Sequence, residues 1–112
     1  MYGSRFISRL DKLEQYRSIV VDILNKYSRY KPSYGEIEIE QIFDIDRDLY
    51  QLVVVGWNGQ KRIYGMMMHL DIKDEKIWIQ QNTTEFDLSD DLHQRGVPKQ
   101  DIVIGFHTPK MR

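Results

Sequence analysis

Trp57-Asn58-Gly59-Gln60 constrains this chain more than any other four residues. Asn-Gly accepts the positive φ angles of a two-residue hairpin turn, and alternating runs rich in Val, Ile, Tyr and Met flank it on both sides. Two long strands must therefore return on one another here. With Trp57 opposite Gln60, Val55 faces Arg62 and Val53 faces Tyr64, so that Val53, Val55, Trp57, Tyr64, Met66, Met68, Leu70 and Ile72 share one face. A second tight turn at Asp74-Glu75 adds Ile77 and Ile79 to that face. Residues 36–43 alternate as a half-buried strand, with Ile37, Ile39 and Phe43 on one side and Glu36, Glu38 and Glu40 on the other. Joined through the turn 44–48, they extend the same apolar face.

This face needs a cover, and the sequence supplies one. From Ser8 to about Tyr30, Leu10, Leu13, Tyr16, Val20, Ile23 or Leu24, and Tyr27 recur at three- and four-residue steps, the signature of an amphipathic helix. Ser8 with Asp11 can cap its start, Lys31-Pro32 stops it, and MYGSRFI, 1–7, reads as a flexible lead-in. The opposite face of the sheet carries Tyr50, Leu52, Val54, Ile63, Met67, His69, Asp71, Trp78 and Gln80, with Glu38, Glu40 and Lys61 toward its edges. It is half apolar, which splits Met66-Met67-Met68 into two core residues and one on the mixed face. A short helix over 87–95, capped by Asp87 and Asp90 and offering Leu88 and Leu92, is too small to cover it all, and 102–107 is a further strand or extended segment. The expected fold is α+β in one domain, 1–112: a long N-terminal helix on a four-stranded antiparallel meander, then a short helix and a C-terminal strand. Leu52, Val54, Ile63, Met67, His69 and Trp78 form the candidate partner interface.

The chemistry-bearing residues form no complete catalytic set. Asp44, Asp46 and Asp48 match the first acids of a calcium loop, but Leu49 replaces its glycine and Val55 its closing glutamate. His69 and Asp71 share a strand face without a nucleophile elbow, while His93 and His107 lie too far along the chain to suggest a three-histidine metal site. Asp48, Asp71 and Lys73 could converge only in a small metal-dependent nuclease. Tyr27, Tyr30 and Tyr34 beside Arg29 and Lys31 could stack on bases, although helix-end packing explains them as well. The glycines make no phosphate loop, and no cofactor or metal is expected. Sixteen basic against seventeen acidic residues, net charge −1, remove the bulk electrostatic term of nucleic-acid binding. No cysteine is present, and no apolar run is long enough for a signal peptide or bilayer span, so a cytoplasmic protein with no membrane partner is expected.

YKPSYG (30–35), VGWNG (55–59), KIWIQQN (76–82) and GVPKQDIV (96–103) are each distinctive, and through them nearly the whole chain resembles the XisI family. That family takes its name from a cyanobacterial controlling factor of fdxN element excision. The resemblance implies a cytoplasmic, non-enzymatic accessory factor for a DNA rearrangement carried out by a separate recombinase. It implies protein–protein binding to a XisH-like companion, with contact to DNA only indirect. Self-association as a dimer or higher homo-oligomer is expected too. The rival readings are a direct DNA-binding module and the small nuclease.

Overall fold

The computed structural model describes residues 9–30 and 34–111, so the lead-in 1–7, the Ser8 cap and the Lys31-Pro32 stop lie outside the described residues. Helix α1 spans Arg9–Tyr27, and its buried residues Tyr16, Val20, Ile23, Leu24 and Tyr27 keep the three- and four-residue rhythm of the sequence. Leu10 departs from the expected stripe at 69 % exposure. It lies in the first turn, level with the Asp74-Glu75 turn, where Arg9 pairs with Glu75 at 3.2 Å.

Strands β1 (Glu36–Asp44), β2 (Leu49–Asn58), β3 (Lys61–Lys73) and β4 (Lys76–Asn82) pair antiparallel in chain order. Helix α2 (Leu88–Gln94) and a 3₁₀ turn at Lys99–Asp101 then carry the chain to β5 (Ile102–Ile104), which joins β4 in parallel. A parallel neighbour requires such a crossover. Asp87 caps α2 as its sequence indicates, its carboxylate accepting from the Asp90 amide at 3.0 Å. Asp74 and Glu75 both hold positive φ, 55° and 60°, between the paired Lys73 and Lys76, the signature of a type I′ turn.

The first hairpin corrects the expected register. Asn58 pairs with Lys61, so Gly59 (φ 63°) and Gln60 are the central residues, and Trp57 faces Arg62 rather than Gln60. Glycine at the first central position with positive φ suits a II′ turn. The pairs become Val55 with Tyr64 and Val53 with Met66, a shift of two residues that preserves the shared face of Val53, Val55, Trp57, Tyr64 and Met66.

A β-bulge then reverses the relation between this group and the rest of the sheet. Val53 pairs with Met66 but Leu52 with Met68, leaving Met67 without a partner on β2; its carbonyl accepts from the Thr83 amide at 3.0 Å. A one-residue slip moves side chains to the other face. Tyr50, Leu52 and Val54, and with them Ile63, therefore turn toward the helix and not toward the mixed face, joining Met68, Leu70 and Ile72. Val53, Val55, Trp57, Tyr64 and Met66 turn away from it. Ile37, Ile39 and Phe43 pair with Gly56, Val54 and Tyr50, so they share the helix side with the second group, not the first. Met67 and Met68 both enter the core cluster, and Met66 is the methionine on the outer face.

The core sits between α1 and the lower half of the sheet, where Tyr50, Leu52, Met68, Leu70 and Ile77 are fully buried. Helix α2 does not lie against the mixed face. It packs beside α1, burying Leu88 and Leu92 in the same cluster, and Tyr27 stacks on Phe86 at 4.6 Å. Tyr30 meets the same ring at 5.0 Å, so helix-end packing accounts for both aromatics.

Three tyrosine–aspartate pairs lace α1 to its surroundings. Tyr50 donates to Asp48 at 2.9 Å while Arg17 grips the same carboxylate at 2.8 and 3.0 Å. Tyr27 donates to Asp91 at 2.9 Å, which also holds Arg95 at 3.0 Å and Lys26 at 3.5 Å. Tyr16 donates to Asp101, which pairs with Lys12 at 3.0 Å. Burial pushes these three carboxyls up, but the hydrogen bonds and the paired cations outweigh it, so each titrates below the usual carboxylate range. Burial, reinforced by the aspartate partner, raises the tyrosines, Tyr27 to about 12.

Candidate interaction surface

Pairing and alternation arrange the outer face in rows. From the tip of the first hairpin downward these are Glu36, Trp57 and Arg62; Glu38, Val55 and Tyr64; Glu40, Val53 and Met66; then Ile42, Gln51 and His69. A last row brings Asp44, Leu49, Asp71, Trp78 and Val103 together across all five strands. Read by strand, β1 gives an acidic column, β2 an apolar one, and β3 a column of Arg62, Tyr64 and Met66. No described helix lies on this side.

The upper three rows form an arm that outruns α1. The helix ends at Tyr27, and Gln41, one row below Ile39, reaches Ser28 just beyond it at 3.0 Å. The arm exposes large apolar groups: Trp57 is 47 % and Tyr64 71 % accessible, with Ile42 at 48 % below them. Arg62 lies over both rings, 5.2 Å from Trp57 and 5.9 Å from Tyr64, and holds them as one aromatic platform. Monomers rarely leave contiguous apolar surface of this kind in water. Glu36, Glu38 and Glu40 make no ion pair among the described residues. At the tip, Gly56 lies so close to β1 that an added Cβ would stand 2.1 Å from the Glu36 carbonyl, which fixes the acidic column beside the apolar one.

Lower on the same face, His69 Nε2 meets Asp71 Oδ1 at 2.7 Å, and Gln80 donates to Asp71 Oδ2 at 2.9 Å. Both residues are largely shielded, with side chains 24 % and 14 % exposed. Lys73 lies 4.2 Å over the Trp78 ring. With the second aspartate oxygen taken by Gln80, the His69–Asp71 pair is a closed hydrogen-bonded unit without a neighbouring nucleophile.

The sequence-derived interface is divided between the two faces. Leu52 is fully buried and Met67 7 % exposed, both in the core, and Val54 and Ile63 stand on the helix side. Only His69 and Trp78 lie on the outer face, where Trp57 and Tyr64, assigned by periodicity to the core, are the prominent groups. The nuclease constellation is not assembled: Asp48 binds Arg17 on the helix side, Asp71 binds His69 on the outer side, and the sheet separates them. Among the described residues no group of three or more His, Cys, Asp or Glu is placed to hold a metal ion. No helix is long and apolar enough to cross a membrane.

A family model described as XisI protein matches residues 10–112. Among solved structures, a XisI-like protein from Anabaena variabilis is 41 % identical, covers 89 % of this chain and 92 % of its own, and superposes with a TM-score of 0.83. The fdxN element excision controlling factor XisI of the same organism is 35 % identical over 91 % of this chain and 99 % of its own, with a TM-score of 0.79. No curated protein matches. The fold, the span of the family match and these two likenesses agree: the chain belongs to the XisI family.

Proposed function

We propose that this protein is a non-enzymatic accessory factor in the control of DNA-element excision, acting by protein–protein binding, with a XisH-like protein as its companion. The name of its Anabaena relative, an excision controlling factor, supports the process. The observation that carries the mode of action is the outer face of the arm, where Trp57 and Tyr64 stand exposed beside Val53 and Val55 without a described element over them. Aromatic groups held in place beside an apolar strip are what binding hot spots are made of. The acidic column on β1 repels a phosphate backbone, which supports contact with DNA through the companion and not through this face.

Binding of purified companion to wild type and to a Trp57→Ala, Tyr64→Ala double variant tests the proposal. Wild type should bind, and the double variant, still folded by circular dichroism, should bind at least thirtyfold more weakly, the equivalent of about 2 kcal/mol. Sequence-selective binding of duplex DNA by the chain alone, at a Kd of about 10⁻⁸ M, would overturn it in favour of a direct DNA-binding module.

A further inference from the structure

We infer that the arm's outer face is a self-complementary interface, and that a second copy of this chain covers it with β2 lying over β2. The inference rests on the reading of this face as a protein-binding surface and names its occupant in the free protein, a copy that the companion displaces when it binds. The three columns decide the geometry. A two-fold axis parallel to the strands keeps each residue in its row and exchanges β1 with β3. Trp57 and Val55 then meet their own counterparts, and Arg62 of each copy meets Glu36 and Glu38 of the other. A two-fold across the strands would instead set acidic column on acidic column. Pairing through the β1 edge fails for the same reason, because antiparallel β1 strands bring the glutamates of both copies side by side.

Charge favours a second copy. Arg62 is the cation of the upper rows, and Glu36 and Glu38 lack a partner within the described residues, so the two-fold satisfies the donor and both acceptors at once. In the lowest row the same axis opposes Asp44 and Asp71, but Arg47 holds the first at 2.9 Å, and His69 and Gln80 hold the second.

Two charge reversals test the geometry. Arg62→Glu sets acid against acid, and Glu36→Lys with Glu38→Lys sets base against base, so each variant alone should sediment as a monomer where wild type is a dimer. All three positions are exposed, and urea denaturation should show both variants folded. Mixed in equal amounts the two variants should pair, because the hetero-pair restores an acid–base contact on both sides of the axis. Each variant should lose at least about tenfold in self-affinity and the mixture should recover most of it. Wild type that stays monomeric at high concentration, reversals that leave the dimer unchanged, or variants that fail to complement one another each overturn the inference. A monomeric wild type that still binds a XisH-like companion through Trp57 and Tyr64 would remove the second copy and leave the proposed function standing. A wild-type dimer that binds no companion would do the reverse.

Discussion

The lower half of the sheet and its arm are built from the same strands, yet they end in opposite environments. Below the bulge, Leu52, Met68, Leu70 and Ile77 are fully buried under α1 and α2. Above it, Val53, Val55, Tyr64 and Met66 continue the same β2 and β3 with side chains as apolar, and their outer face meets solvent at Trp57 and Tyr64. What separates the halves is the end of α1 near Gln41 and one unpaired residue, Met67. Apolar composition therefore records burial in the first half, and in the second it records two exposed aromatic rings beside partly covered neighbours. Hydrophobic residues go inside only when some element covers them.

The contrast between Met68 and Met66 is the largest expected effect. Met68→Ala removes a fully buried side chain and should destabilise the fold by about 2–5 kcal/mol, read as a shift in the urea midpoint at unchanged slope. Met66→Ala, two residues away on the other face, should cost about 1 kcal/mol or less. Equal costs would break the comparison, since they would mean that the bulge does not divide the strand.

The next effect sharpens the comparison through the ion pairs that bind α1 to the covered half. Asp101→Ala leaves the Tyr16 hydroxyl and Lys12 without their acceptor and should cost about 1–3 kcal/mol. Asp48, Asp91 and Asp101 titrate lower in the folded protein than in the unfolded one. Their stabilisation is thus complete above the unfolded carboxyl pKa of about 3.9 and is lost as pH falls through the lower folded values. The raised tyrosines act at the other end: their contribution is full below about pH 10 and declines as pH rises, for Tyr27 through about 12. Midpoints measured across pH should show both limbs in wild type, and Asp101→Ala should flatten the acid one. An acid limb of unchanged steepness would show that the carboxylate lies outside the linkage.

The smallest effect belongs to the arm. Trp57→Ala should change stability by less than about 1 kcal/mol, because about half of the side chain is already exposed within one chain. The same substitution should weaken association, so a large loss of stability in the monomer would make the arm an ordinary piece of core and erase the distinction between the halves.

Much of this was legible from local chemistry. The stripe Tyr16, Val20, Ile23, Leu24 and Tyr27 announced α1, Asp87 and Asp90 announced the start of α2, and Asp74-Glu75 announced a two-residue turn. The alternation kept Val53, Val55, Trp57, Tyr64 and Met66 together, and Met68, Leu70, Ile72, Ile77 and Ile79 together, and it placed His69 and Trp78 on the outer side, but it set Tyr50 and Leu52 opposite the Met68 and Leu70 whose face they share. It missed Trp57 and Tyr64 because they share a strand face with residues that look like core. The signal that could have found them is β1: its glutamates must face water, and with four residues, 45–48, between the strands, Glu38 falls beside Val55 and Glu40 beside Val53.

Secondary structure and its local signals were determined by the sequence itself, since caps, turns and periodicity act over a few residues. Which face each half presents was decided only by tertiary structure. Leu52-Val53-Val54 opposes Gly65-Met66-Met67-Met68, and in such a run an apolar residue stands at every β2 position and nearly every β3 position. A one-residue slip there leaves the polar and apolar pattern almost unchanged, so the pattern cannot place the bulge. The packing of α1 against Tyr50, Leu52 and Leu70 places it, because the helix needs that set of side chains on its own side of the sheet.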